Sequence, residues 1–175
     1  MENYFLIGAV LVASVAAFSD VRKARIPNWL TYSSLATALV LRAAVLGWAG
    51  FKSGALGMLA AGGIFLILFF MGAMGGGDMK LMASTGAWVG SDHVVTILLV
   101  AAMAGGVLAV VQIVFGRRGW QTLRNLFELI RFRLISGLQP HPVLNVREPG
   151  SDRVPYGLAI ALATLYCARN AIWWR

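Results

Sequence analysis

The chain of 175 residues is 59% hydrophobic and only 13% charged, and its net charge is +8. A soluble domain has about 25% charged residues, so this composition excludes an ordinary soluble fold and indicates a membrane-embedded protein. The single cysteine and two distant histidines give no disulfide and no metal ligand set, so we expect no cofactor and no metal. The positive charge suits loops that face anionic lipid better than it suits a nucleic-acid partner.

Six apolar segments follow one another along the chain, and each predicts a helix, because backbone groups in lipid must pair within their own segment. They cover residues 4–19, 29–48, 54–74, 79–90, 94–115 and 154–174. The first segment is interpreted as a retained helix, because basic residues follow it instead of preceding it. The uncharged third segment reaches about 31 Å, enough to cross the hydrocarbon. The fourth is too short, and we expect it to begin below the headgroups, at Asp78.

The positions of lysine and arginine predict the topology. With six helices, eleven of the 15 basic residues fall in loops on one side, Arg22, Lys23 and Arg25 among them. The positive-inside rule places those loops in the cytoplasm and both termini outside. Arg42 lies within the second segment, and we expect its side chain to extend toward the outer surface. The sequence therefore predicts an all-α, polytopic membrane helix bundle of about six transmembrane helices, forming one domain over residues 1–175.

The longest polar stretch, residues 116–153, is predicted to be a cytoplasmic loop with an amphipathic helix. Apolar side chains recur there at helical spacing, at Trp120, Leu123, Phe127, Ile130 and Leu134. Charged residues occupy the other faces, so this helix is expected to lie on the inner leaflet. It serves either as an interfacial tether or as part of a surface that docks a substrate.

Two carboxylates stand at predicted cytoplasmic ends of helices. Asp20 follows the first apolar segment and Asp78 precedes the fourth, so the topology places both on one side of the membrane. Pro27 fixes the start of the second helix after Asp20, and Asn28 can cap it. A lone acid at such a position is more often a solvated residue or a helix cap. Two carboxylates that share a proton, however, are the working groups of an aspartic protease.

The glycines form two groups. Those at residues 75–77 directly precede Asp78, where they allow left-handed backbone angles and close contact with an extended peptide. The pairs at residues 62–63 and 105–106 lie within apolar segments. We expect these pairs to serve helix packing rather than the site.

Three motifs, in chain order, resemble those of bacterial prepilin peptidases, and together they cover nearly the whole chain. They are Asp20-x-Arg22-x-x-x-Ile26-Pro27-Asn28, Gly75-Gly76-Gly77-Asp78 with Lys80, and Pro155-Tyr156-Gly157. The second is similar to the family's Gly-x-Gly-Asp motif, and the third to the Pro-aromatic-Gly element that opens its last helix. The resemblance implies that Asp20 and Asp78 are catalytic and that the other motif residues support them or bind substrate.

The resemblance also implies an activity and a location. Members of this family remove the short basic leader of type IV prepilins or pseudopilins at the cytoplasmic face of the bacterial inner membrane. The longer members carry paired cysteines and N-methylate the new terminus, so this sequence, without Cys-x-x-Cys, is expected to lack that second activity. Its compact form resembles the peptidases of tight-adherence (Flp) pilus systems. The implied partners are the prepilin substrate and the lipid bilayer. The sequence is also compatible with a homo-oligomer.

Two alternatives stay open on sequence grounds. A presenilin-like intramembrane protease also uses a Gly-x-Gly-Asp acid, but its first aspartate lies within a span and its last helix carries Pro-Ala-Leu. A non-enzymatic transporter or assembly subunit would carry polar residues along its spans. Here Arg42 and Arg169 are the only charged residues expected within them. Two acids held far apart, with no mobile loop to unite them, would favour that last interpretation.

Overall fold

The computed structural model describes residues 3–71, 73–115, 124, 128, 131 and 155–173, and this part of the chain is all helical. It forms four helices, α1 Asn3–Lys23, α2 Asn28–Phe70, α3 Gly76–Phe115 and α4 Tyr156–Trp173. Within the described ranges, α1, α2 and α3 are long and apolar enough to cross a membrane. The predicted amphipathic helix at residues 116–153 lies almost entirely outside the described residues, so it stays a prediction.

Helices α2 and α3 are each broken once, at a glycine with a left-handed backbone. Gly47 has a φ of 64° and Gly90 a φ of 73°, a region that residues with a Cβ rarely adopt. We therefore divide α2 into a first segment, 28–46, and a second segment, 48–70. The segments of α3 are 76–89 and 91–115. With α1 and α4, the described part of the chain has six helical segments, at the positions of the six apolar stretches in the sequence.

The chain reverses its direction at both breaks. Gly50 packs directly against the backbone carbonyl of Arg42, although a straight helix would separate these residues by about 12 Å. Asp78 and Ala109 line the same cavity, whereas a straight helix would hold them about 46 Å apart. Both α2 and α3 are therefore helical hairpins.

The first segment of α3 is the centre of the bundle. From residue 81 to residue 90 every residue except Ala83 is buried. The second segment of α2 packs on it through Gly57 and Gly86, where a Cβ on either glycine would overlap the carbonyl oxygen of the other. On another side, the Ser34 hydroxyl oxygen accepts a hydrogen bond of 2.8 Å from the indole N–H of Trp88. Small residues thus allow close helix packing in a medium where apolar burial drives little association.

The expectation that Arg42 extends toward the outer surface is wrong. Its side chain is only 4% exposed. Nε and Nη2 donate to the carbonyl oxygen of Trp88 at 3.2 and 2.9 Å, and Nη1 donates to Ser53 Oγ at 3.3 Å. Trp88 lies in the last turn before the break at Gly90, where helical carbonyls lack their usual intrahelical donors. The guanidinium therefore caps the first segment of α3 and ties it to both segments of α2.

We expect Arg42→Met to lower the free energy of unfolding by about 2–3 kcal/mol, because it leaves the buried carbonyl of Trp88 without its charged donor. Lys52→Met is the matched control. Lys52 is exposed, with its ammonium 5.8 Å from the centroid of the Trp48 ring, so its loss should cost less than about 1 kcal/mol. Thermal unfolding of the purified proteins in detergent measures both changes, and equal stabilities of the two variants would contradict the capping role.

Candidate active site

A cavity of about 890 Å³ lies where several helix ends meet. Its walls come from the end of α1, the start of α2, the turn between α2 and α3, the second segment of α3 and the start of α4. Both predicted catalytic acids line it, Asp20 from the last turn of α1 and Asp78 from the first turn of α3. The fold thus brings to one cavity two carboxylates that stand far apart in the sequence.

Asp20 is held by the start of α4. Its Oδ2 accepts a hydrogen bond of 3.0 Å from the backbone N–H of Gly157, one of the donors that a helix N-terminus leaves without an intrahelical partner. A Cβ at residue 157 would lie 2.9 Å from the same oxygen, so a glycine there allows the carboxylate to approach. The Asp20 carboxylate therefore lies at the positive end of the α4 dipole.

Asp78 lies beside Gly75 and lines the same cavity as Tyr156. Its Oδ2 is 3.1 Å from the position that a Cβ on Gly75 would occupy. The Tyr156 hydroxyl donates a hydrogen bond of 3.0 Å to the carbonyl oxygen of Ala101, and the ring packs edge-on against Phe65 at 5.7 Å between centroids. Tyr156 is therefore fixed at the cavity wall by both hairpins.

The glycines at residues 75–77 line the cavity, but they do not take left-handed angles. Among the described glycines only Gly47 and Gly90 have a positive φ, so that part of the prediction is wrong. The reason is that α3 begins at the second glycine of the run, which makes two of the three helical. Their small size serves packing instead: a Cβ on Gly77 would lie 3.3 Å from Cβ of Ile26. The close approach joins the Asp78 motif to the Asp20 motif.

Pro27 and Asn28 also line the cavity. Pro27, with a φ of −64°, immediately precedes α2 as predicted, but no side-chain hydrogen bond caps this helix, so the expected cap by Asn28 is wrong. Asn28 Oδ1 instead accepts a hydrogen bond of 3.0 Å from Lys80 Nζ. The Lys80 ammonium also lies 5.1 Å from the centroid of the Tyr32 ring. Lys80 thus links α3 to the start of α2 without lining the cavity.

Of the remaining predicted residues, Pro155 and Tyr156 line the cavity, and Gly157, which does not line it, donates a hydrogen bond to Asp20. Arg22 does not line it, because its guanidinium packs 4.3 Å from the centroid of the Phe18 ring on α1. Lys23 and Arg25, which the sequence assigned to topology alone, do line it.

Gly105 was expected to serve packing and not the site, and it does both. A Cβ at this position would overlap the ring of Tyr156, and Gly105 lines the cavity together with Ala109. The sequence offered no signal that would pair residue 105 with residue 156, because that contact depends on the reversal of α3 at Gly90. Within the part of the chain that the structure describes, nothing lies within 4 Å of a Cβ built on the neighbouring Gly106.

The chain matches the family model of the type IV leader peptidase family over residues 6–110. This range contains both acids and covers more than half of the chain, so the protein belongs to the type IV leader peptidase family, as its motifs predicted. A search of curated proteins and a search of solved structures gave no significant match.

The Gly105–Tyr156 contact predicts different effects for two adjacent glycines. Gly105→Ala should displace the Tyr156 ring and lower the free energy of unfolding by about 1–3 kcal/mol through overpacking. Gly106→Ala, in the same turn, meets no atom of the described residues within 4 Å and should be neutral or slightly stabilising, because alanine favours a helix over glycine. Thermal unfolding of both variants in detergent checks this, and a neutral Gly105→Ala would show that the contact is dispensable.

Proposed function

We propose that the protein is an aspartyl leader peptidase that removes the basic leader of type IV prepilins or pseudopilins at the cytoplasmic face of the inner membrane. One observation carries this proposal: Asp20 and Asp78 line a single cavity in a chain that belongs to the type IV leader peptidase family. The cavity lies at one end of a membrane-type bundle, which suits a substrate that is itself anchored by an apolar helix.

The proposed reaction needs only the two carboxylates and water. For this reaction the pair must hold one proton between its two members, the state that two carboxylates favour when they lie close together. The ionised member takes a proton from water as the water oxygen attacks the scissile carbonyl carbon, and the protonated member donates its proton to the carbonyl oxygen. When the tetrahedral intermediate collapses, the C–N bond breaks and the nitrogen leaves as an amine with the proton that the first carboxylate took from water. A hydroxyl of the intermediate returns a proton to the other carboxylate, which restores the pair. Two coupled carboxylates share their protons as a pair, so the proposal does not divide the roles of base and acid between Asp20 and Asp78.

The surroundings of the acids support a peptide substrate. The run Gly75-Gly76-Gly77 lines the cavity without side chains and thereby leaves room for an extended peptide backbone. Asp20 is oriented by the Gly157 N–H and does not depend on another side chain for that contact. We further propose that the substrate is of the Flp type and that cleavage is not followed by N-methylation, in keeping with the absence of a Cys-x-x-Cys pair from these 175 residues.

We propose six membrane crossings, one for each helical segment, with the cavity on the cytoplasmic side. Two kinds of observation support this arrangement. Arg22, Lys23 and Arg25 lie at the cavity end of the bundle, where the positive-inside rule expects them. Large apolar side chains on the outer faces are exposed, such as Leu59 at 63% and Val107 at 63%, as residues that face lipid would be. The short first segment of α3 then starts below the headgroups, so that water reaches Asp78.

Replacement of either acid tests the proposed mechanism. Asp20→Asn and Asp78→Asn should each reduce cleavage of a co-expressed prepilin by about a hundredfold to ten-thousandfold, because neither amide can exchange the proton that the reaction requires. Asp92→Asn is the matched control, since Asp92 is exposed next to the break at Gly90, at the opposite end of the first segment of α3. Gel mobility of the pilin measures cleavage, and protein accumulation shows that the variants fold. Normal maturation in either motif variant would refute the mechanism.

Two exposed lysines test the topology. In a Cys167→Ala background we expect Lys52→Cys to react with a membrane-impermeant maleimide in intact cells. Lys23→Cys, which lies at the cavity, should react only in inside-out vesicles. Labelling of both cysteines from the same side would contradict the proposed crossings. Labelling of Lys23→Cys in intact cells would show that the cavity, and with it Asp20 and Asp78, does not face the cytoplasm.

A further inference from the structure

Lys23 and Arg25 line the cavity, and the proposed mechanism gives them no role. The positive-inside rule accounts for basic residues at this end of the bundle, but it does not require them to line a cavity. Arg22 satisfies the same rule without lining the cavity, because its guanidinium packs on the ring of Phe18. The positions of Lys23 and Arg25 therefore call for an explanation beyond topology.

A left-handed backbone at Ala24 separates the two basic residues. In a continuous helix, residues two apart are rotated by about 200° around the axis, so both would not face one cavity. Ala24, with a φ of 49°, is the one described residue other than glycine that has a positive φ, and it also lines the cavity. A residue with a Cβ takes this conformation at a cost in free energy. The turn is held by two hydrogen bonds. The Ala24 N–H donates to the Asp20 carbonyl oxygen at 2.7 Å, and the Ser19 hydroxyl donates to the Arg25 carbonyl oxygen at 2.9 Å.

The charges on the cavity wall are not balanced. The charged residues that line it are Lys23 and Arg25, together with the acids Asp20 and Asp78. When the acids share one proton, two cations stand against one ionised carboxylate. Lys23 follows Asp20 by three residues, which puts both on one face of α1. This side of the cavity therefore repels a basic leader and attracts an anionic group to a position close to the acids.

We propose that Lys23 and Arg25 bind an acidic side chain of the substrate, on the other side of the scissile bond from the basic leader. This inference rests on the proposed function. A carboxylate matches two neighbouring cations, because it accepts charge-assisted hydrogen bonds from both. The contact fixes the direction in which the peptide passes the acids, since the leader is kept away from the cations. It contributes to binding and takes no part in proton transfer.

The phosphate of a lipid headgroup is the other anion that is abundant at a membrane surface. The observations favour the peptide, because Lys23 and Arg25 line the same cavity as Asp20 and Asp78. A headgroup held there would occupy the space that the substrate needs. Arg22, which does not line the cavity, can face lipid without this conflict.

The test compares glutamate with glutamine at one position after another of a synthetic prepilin peptide that spans the cleavage site. The purified protein is assayed in a neutral detergent. At one position after the scissile bond, glutamate should lower KM about three- to tenfold relative to glutamine, with kcat changed less than about twofold. The difference should shrink as the ionic strength rises, because both cations are exposed to water. Equal KM values at every position, or an advantage for glutamate only within the leader, would overturn the proposal without any variant of the enzyme.

Substitutions assign the contact to its residues. In the double variant Lys23→Gln, Arg25→Gln, the difference in KM between the glutamate and glutamine peptides should fall below about twofold. The double variant Lys23→Arg, Arg25→Lys keeps both charges and should keep most of the difference. Arg22→Gln is the matched control, because it removes one charge from the same cluster and should retain the full difference. An unchanged difference in the first double variant, or an equal loss in Arg22→Gln, would contradict the assignment.

Other results separate this inference from its alternatives. The first double variant could lose activity equally on both peptides, and only in phosphatidylcholine vesicles that also contain phosphatidylglycerol. The cations would then bind lipid, and the proposal would be wrong. A shifted pH profile of kcat with an intact difference between the peptides would show that the cations act on the acids, which also overturns it. If the wild-type protein binds the glutamate peptide more tightly but cleaves neither peptide, the peptidase proposal fails while the contact stands. Cleavage of both peptides with equal KM removes the contact and leaves the peptidase.

Discussion

The site depends on the reversal of α3 at Gly90. The left-handed backbone there lets the second segment turn back along the first, and Arg42 caps the carbonyl that the break exposes. Without this turn, Gly105 and Ala109 would lie far from Asp78, and Tyr156 would lose the carbonyl that holds its hydroxyl. The buried charge of Arg42 is costly in an apolar bundle. Its position at the broken helix end reduces that cost, because the carbonyl there lacks a donor and the guanidinium supplies one.

Close packing of backbone against backbone then fixes the position of the acids. Between helices in lipid, apolar burial contributes little, and van der Waals contact and hydrogen bonds determine the arrangement. Gly57 and Gly86 bring α2 against the first segment of α3, and Gly77 brings the start of that segment against Ile26 in the Asp20 motif. Gly77, the glycine next to Asp78, therefore allows the close contact between the two motifs. It also adds no side chain where a peptide would bind.

Charge counting and motif spacing predict that Asp20 and Asp78 lie at the same end of the bundle, and both line one cavity. Beyond this placement the sequence is less informative. Apolar runs and the position of Pro27 predict where helices begin and end, because those features depend on local composition. Three features depend on how helices distant in the sequence pack together: the burial of Arg42, the partner of Asn28 and the position of Gly105. The periodicity of a single segment carries no information about that packing. Arg42 and Asn28 were misread as local features because the partner of each comes from another helix, and for the same reason the sequence assigned Gly105 to packing without its place at the cavity.

The third motif meets the other helices through different atoms of adjacent residues. The backbone N–H of Gly157 donates to Asp20, while the side chain of Tyr156 lines the cavity with Asp78 and bonds to the second segment of α3. This motif lies beyond residues 6–110, the range of the family match, so the structure adds a part of the site that the match does not cover. Since Gly157 lies 137 positions after Asp20, the arrangement of the pair is complete only when α4 has packed on α1 and α3. The last helix is therefore as much a part of the site as the helices that carry the carboxylates.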